Sequence, residues 1–375
     1  MKTNKFFCSA PFTQISIDPR GVLLPCCRFP KPLSDLKDER IDQGWNGKGY
    51  QELRQRFLDG EKPEECFDCW HAEDAGMESL REITNKVNNG KTFTSSFVET
   101  PPEHWEFKTT NVCNLKCRIC GPFNSSQLAK ENETVSKELR NHYLAHKLIG
   151  THHEPIVYEW LKKADYILFA GGEPFVNQEI KKIMDYIDQN DLNDIRTLIV
   201  TNGTHWNKKF INQLKKLESL DIRISLDDIY ERNDYQRDGS NFDIIEQNFI
   251  NFSTHFPGQI MFNCTVNWFN IFHIDEFLEY ADDFNTPVSI QFVEQPKYMN
   301  IIHLPTQVKE RINHKFGMSN DERIKLILNR MNIESTLDWD VPLRFFRHID
   351  WYDPLRKTDF NKTFPEWSEI LNELR

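Results

Sequence analysis

The clearest order in the chain is an alternation of short apolar runs with longer stretches whose apolar residues return every three or four positions. Runs at 166–170 (Tyr-Ile-Leu-Phe-Ala), 196–200, 220–224, 260–267 and 288–293 read as strands, the last of them the sixth of a series. Between them, residues 176–190 place Ile180, Ile183, Met184 and Ile187 on one helical face. Residues 207–220 do likewise, 242–256 open after the capping pair Ser240-Asn241, and 274–284 supply another helix. Strands alternating with helices of this length predict an α/β fold: a parallel sheet with helices outside, here a curved, partial (β/α)6 barrel. Ligands of such sheets bind beyond the carboxyl ends of the strands.

The first hundred residues follow a different pattern. Ile15 and Ile17 alternate with Ser16 and Asp18, Gly21 marks a turn, and the chain returns through Val22, which predicts a hairpin in a small, cysteine-rich α+β domain. Glu73, Glu78, Arg81 and Glu82 fall at helical spacing within 71–85 and read as a solvated face. The stretch 88–103, with Gly90, Pro101 and Pro102, is the best boundary. Residues 304–331 are helical in pattern. Trp339, Phe345, Phe346, Trp351, Tyr352, Phe360, Phe364 and Trp367 then crowd together, which suits an extension packing against the barrel, with a substrate channel or recognition surface as the second reading. Asp350, Asp353 and Arg356 acquire no role from the sequence. The domains expected are therefore 1–90, 104–300 and 301–375.

Charge narrows the function. A net charge of -11 argues against a protein that coats nucleic acid, whose affinity rests on neutralising phosphates. The lysines within 130–147 and 208–216 are interleaved with or followed by acidic residues and read as solvated helix faces. No 18-residue apolar run occurs, and residues 1–7 lack the apolar core of a signal peptide, so a cytoplasmic protein without a membrane partner is expected. In a reducing compartment the nine cysteines read as metal ligands, not as a disulfide framework.

Cys113, Cys117 and Cys120 form a C-x3-C-x2-C set, three thiolates for a cube of iron and sulfide that takes four. The unfilled iron is where a ligand would bind; zinc, equally fond of thiolates, is the alternative. Further motifs close the later strands: Gly171-Gly172-Glu173-Pro174, then Thr201-Asn202-Gly203, then Ser225-Leu226-Asp227. Together these resemble the radical S-adenosylmethionine (SAM) enzymes, whose pattern C-x3-C-x-Φ-C usually has an aromatic residue where this chain has Ile119. The resemblance implies a radical SAM barrel in which the open iron of a 4Fe-4S cluster chelates SAM. Reductive cleavage then yields a 5'-deoxyadenosyl radical that abstracts hydrogen from a substrate. It also implies SAM contacts from Ile119, Gly171, Gly172, Glu173, Pro174, Thr201, Asn202, Ser225, Asp227 and Val266, with Arg237 placed to pair a carboxylate. Cys264 reads as a small buried residue.

Cys8, Gly21 and Cys26 give C-x12-G-x4-C, with Cys27 adjacent, followed by Cys66-x2-Cys69. A hairpin between them brings Cys8 and Cys26 together. This resembles the SPASM and twitch domains, which carry auxiliary iron-sulfur clusters, although in most relatives that domain follows the barrel. Only the first part of the longer cysteine set is present, so the resemblance implies one auxiliary 4Fe-4S cluster on Cys8, Cys26, Cys66 and Cys69, with Cys27 either a substitute for Cys26 or a spare. Four such thiolates suit a structural zinc as well. With all four bound no iron is free, which favours electron relay or structure over substrate binding. His71 reads as a loop residue. Relatives commonly modify peptides or proteins, so that substrate class leads. Small molecules or nucleotides come second, and a non-catalytic zinc or iron-sulfur interaction protein is the alternative outside enzymes. A donor such as flavodoxin or ferredoxin is implied.

Overall fold

The structure, a computed structural model, describes residues 4–74, 76, 78–131, 151–334, 340–367 and 370; Trp339 and most of the 130–147 lysine stretch lie outside the described residues. The chain forms two compact units, one of residues 1–114, 122–200 and 207–220 and one of residues 115–121, 201–206 and 221–375.

In the first unit the strands are β1 (Gln14–Ile17), β2 (Val22–Leu24), β3 (Ser34–Asp35), β4 (His104–Phe107), β5 (Tyr166–Phe169) and β6 (Arg196–Thr201). Their order is β3-β2-β1-β4-β5-β6. β1 and β2 form the expected antiparallel hairpin, and β1, β4, β5 and β6 run parallel. Gly21 turns the hairpin at φ +78°, donating its N–H to the Asp18 carbonyl at 2.9 Å. Trp105 of β4 packs on Trp160 of the helix Glu154–Leu161, and Phe107 stacks on Phe169, so that face of the sheet is covered. The helix Gln178–Gln189 buries Ile180, Ile183, Met184 and Ile187, as their spacing predicts. It starts two residues late because the Asn177 side chain caps it. The helix expected over 207–220 is Lys208–Leu214, since the chain must turn before entering its next strand at Leu220.

Two expectations change here. The segment 88–103 is tied down: Trp45 Nε1 donates to Thr100 O (3.0 Å), Asn46 Nδ2 to Val98 O (2.8 Å) and Arg54 Nη1 to Ser96 O (3.1 Å). The acidic face expected around 71–85 is only partly solvated, because Glu73 and Arg81 pair at 2.7 Å with Arg81 5.0 Å from the Trp70 ring. A loop between the helices Phe67–Asp74 and Leu80–Val87 folds these two charges onto one another.

In the second unit β7 (Leu220–Ser225), β8 (Ile260–Val266) and β9 (Val288–Phe292) are parallel. β8 alternates buried Ile260, Phe262, Cys264 and Val266 with half-buried Met261, Asn263 and Thr265. Phe262 meets Phe249 at 4.8 Å and Phe277 at 6.1 Å, on the helices Phe242–His255 and Ile274–Asp283. The C-terminal aromatics pack as expected: Phe345, Phe360, Phe364 and Trp367 gather with Trp268 and Phe269, all buried, while Trp351 stays exposed. Among the described residues no helix is long and apolar enough to cross a membrane.

Candidate functional site

Cys8, Cys26, Cys66 and Cys69 line one partly enclosed cavity, whose wall also includes Phe29, Arg28 and Arg81. Cys8 precedes the short helix Ala10–Thr13 that leads into β1, and Cys26 follows β2, so the hairpin carries both to one end. Cys66 closes the turn Glu64–Cys66, and Cys69 lies on the next helix. Behind them Phe12, Phe57 and Trp70 form a buried apolar backing. Burial pushes the Cys8 thiol up to about 12 and raises Cys26, Cys66 and Cys69 as well. Four thiols so desolvated become thiolates only against a compensating positive charge, which a metal centre supplies. Cys27 is exposed, is absent from that wall, and faces the Glu106–Lys108 ion pair (2.9 Å). His71 lies on the helix Phe67–Asp74, not in a loop, and is exposed and outside the wall. Among the described residues, no three His, Cys, Asp or Glu side chains are gathered closely enough to grip a single ion.

In the first unit β5 ends at the Gly171-Gly172 pair, with φ +73° and +58°. A Cβ on Gly172 would lie 2.3 Å from the Val112 carbonyl oxygen, so only glycine lets this turn press on the segment leading into Cys113. Glu173 is fully buried beside buried Pro174. Its N–H donates to Val112 O at 2.8 Å, and its Oε1 accepts from Phe175 N at 3.0 Å. Cys113 is held by Ser126, whose hydroxyl accepts from Cys113 N (3.3 Å) and donates to Cys113 O (3.2 Å).

In the second unit Cys117 and Cys120 share a turn closed by Cys120 N to Cys117 O at 3.0 Å, with Ile119 half-buried between them. Burial raises both thiols, Cys120 to about 12, while Arg237 opposes the rise at Cys117. Arg237 does pair with a carboxylate, but it is the chain's own: Nη2 stands 2.9 Å from Oδ2 of fully buried Asp227. Asp227 Oδ1 accepts from Thr265 N at 2.9 Å, fixing it to β8. Arg237 Nε is buried without a hydrogen-bond partner, an unsatisfied donor beside the cysteine turn. Ser225 is half-buried at the end of β7, and Val266 ends β8 fully buried. Asn202 Oδ1 accepts from Thr204 N at 3.0 Å and Thr201 Oγ1 from Gly203 N at 3.2 Å, so both side chains shape the turn after β6.

Sequence reasoning assigned no role to several residues here. Asp228, fully buried, is pushed up to about 7 by desolvation against the pull of Arg232 2.9 Å away. Arg118, between the two cysteines, is buried among Tyr235, Asp353 and Thr358. No sequence spacing signals the Arg118 contacts, because its partners lie more than a hundred positions away.

Residues 107–267 match the radical SAM superfamily, and residues 8–70 match SPASM, an iron-sulfur cluster-binding domain. The radical SAM cyclopropyl synthase TigE of Paramaledivibacter caminithermalis is 25% identical over 227 residues, covering 56% of this chain and 46% of that protein. The chain thus spans about half the length of the curated relative it matches. Among solved structures, native anSMEcpe with bound AdoMet and Cp18Cys peptide is 19% identical with a TM-score of 0.40, covering 52% of each chain. Streptococcus suis SuiB bound to precursor peptide SuiA is 12% identical with a TM-score of 0.37, covering 83% of this chain and 66% of that one.

Proposed function

We propose that this chain, a member of the radical SAM superfamily with a SPASM-type domain at its N-terminus, binds SAM at a 4Fe-4S cluster and modifies a peptide or protein by hydrogen abstraction. The observation that carries the reading is the three-thiol loop Cys113, Cys117, Cys120 at the head of the matched segment 107–267. When bound, the cluster and SAM together supply the 5'-deoxyadenosyl radical. The chain's part is ligation and orientation. Cys113, Cys117 and Cys120 are the cluster ligands. Buried Glu173 and the backbone of Gly171 and Gly172 receive the SAM amino group. Thr201, Asn202, Ser225, Asp227 and Arg237 serve its carboxylate and ribose, and the unsatisfied Arg237 Nε gives a donor for that task. The peptide class rests on the SPASM match, and a small molecule is the alternative substrate. A reducing, cytoplasmic setting with a flavodoxin- or ferredoxin-like donor suits such clusters.

Cys8, Cys26, Cys66 and Cys69 are proposed to hold the auxiliary 4Fe-4S cluster within the domain 1–90. The shared cavity supports one common centre on these four thiols, with a structural zinc as the alternative. Arg28 and Arg81 in its wall supply positive charge toward an anionic thiolate cluster.

The test is anaerobic reconstitution with iron and sulfide, iron counting, and chromatography for 5'-deoxyadenosine after adding SAM and dithionite. About eight irons per chain and deoxyadenosine are expected. Stoichiometric zinc with no SAM cleavage would sink the reading. The auxiliary assignment has its own check: Cys26→Ser lowers iron to about four per chain, whereas Cys27→Ser, altering an exposed thiol outside the cavity, leaves it near eight. Equal iron loss in both variants would refute the choice of Cys26.

A further inference from the structure

The final 75 residues lie outside both family matches, yet they reach the cysteine loop. Arg118 stands between Cys117 and Cys120 with its side chain fully buried. Its Nε donates to Tyr235 O at 3.0 Å, and its Nη2 donates to Asp353 Oδ1 and Thr358 Oγ1, both at 2.7 Å. The guanidinium also lies 3.9 Å from the Tyr235 ring centroid. Asp353 is fixed in turn. Its Oδ1 accepts from the hydroxyls of Tyr235 (2.8 Å) and Thr358 (2.9 Å), and its Oδ2 accepts from Phe360 N (2.7 Å).

A second bridge holds the other side of Cys117. Lys116 Nζ is 2.8 Å from Asp238 Oδ2, and Arg356 Nε, its side chain fully buried, is 3.5 Å from the same oxygen. The backbone is laddered between these bridges: Lys116 N donates to Asp238 O and Arg118 N to Gln236 O, both at 2.8 Å. These two bonds hold the backbone on either side of Cys117, and the two bridges hold the flanking side chains. Arg237, which caps the helix Tyr230–Gln236 between the two bonded residues 236 and 238, acts electrostatically on the Cys117 thiol. Asp353 and Arg356 both belong to the C-terminal helix Asp340–Arg356.

We infer that the C-terminal segment clamps the cysteine loop, with Asp353 a positioning residue that acts through Arg118 to fix where Cys117 and Cys120 present their thiols. A buried cation costs desolvation that an apolar residue of like volume would avoid, and its best-attested use is to fix one arrangement among several. The effect on SAM binding rests on the function proposed above; the effect on the loop does not.

The test compares full-length Asp353→Asn, which keeps the side-chain shape, and Asp353→Ala with Asp350→Ala, an exposed residue of the same helix. Iodoacetamide labelling before cluster loading, read by peptide mass spectrometry, is expected to speed up about tenfold at Cys117 and Cys120 in both Asp353 variants, as local opening becomes easier. Labelling of fully buried Cys264 stays slow, and Asp350→Ala behaves as wild type. After reconstitution, KM for SAM rises more than kcat falls, and Asp353→Glu recovers part of it. Unchanged labelling at Cys117 and Cys120, or an equal rise at Cys264, overturns the clamp. Faster labelling in a protein whose wild type makes no deoxyadenosine upholds the clamp and removes the SAM reading instead.

Discussion

On the function proposed above, replacing Cys117 with alanine is expected to stop SAM cleavage while leaving the fold in place. The loop offers three thiolates for four irons, so no spare ligand compensates for one removed. Altering a group that only supports a ligand already costs roughly 10- to 100-fold, and removing a ligand itself takes deoxyadenosine formation down by more than about a thousandfold. Stability changes by only about 1 kcal/mol, because Cys117 is half-buried and its turn is held by the backbone bonds of Lys116 and Arg118. Chromatographic deoxyadenosine, iron counting and circular dichroism on the same preparation separate these outcomes. Iron should drop to about four per chain, the proposed auxiliary cluster remaining. Cys264→Ala serves as the contrast: a thiol of the same unit, buried against Asp227 O at 3.7 Å, whose loss leaves iron and SAM cleavage as they were. Wild-type turnover in Cys117→Ala would take the loop out of the chemistry.

The legible parts of the chain were those whose signal is local. β5 through β9 announced themselves by apolar runs, and the glycines after β5 by a turn that only they can make against Val112 O. β4 was not legible, because four residues, His104 to Phe107, are too short for a period to emerge. What defines it is pairing on both edges, to β1 and β5, a non-local fact. That pairing also makes the N-terminal hairpin part of the parallel sheet, where spacing suggested a separate module. Cys26 and Cys27 are chemically identical neighbours, and only the direction of the chain leaving β2 separates a cavity thiol from an exposed one. The partnership of Arg118 with Asp353, 235 positions apart, had no sequence signal. Arg81 and Glu73 misled for a related reason: helical spacing said solvated, whereas the break between two helices folds them together.

The largest expected loss of stability falls at Arg54, in the helix Lys48–Leu58 beside the auxiliary cavity's apolar backing. Its guanidinium is fully buried and donates to Pro11 O (2.8 Å), Trp45 O (2.8 Å), Ser96 O (3.1 Å) and Asn46 Oδ1 (2.8 Å). It also lies 4.3 Å from the Trp45 ring centroid and 5.1 Å from that of Tyr50. Burial lowers its pKa to about 10, so the cation persists at neutral pH and its charge is met by carbonyl dipoles and ring faces. Arg54→Ala leaves three backbone carbonyls without that donor and opens a cavity between two aromatic rings; the sum is about 3–5 kcal/mol. Arg54→Lys keeps the charge but has neither the fork to reach four acceptors nor the plane to stack, so it recovers little. The consequence reaches the proposed auxiliary site through Pro11, three residues from Cys8 and part of the short helix next to it. Urea denaturation should therefore show a lowered midpoint for both variants, and reconstitution should show iron missing from the auxiliary site. Wild-type midpoints in both would mean that this cation is solvated in solution and anchors nothing.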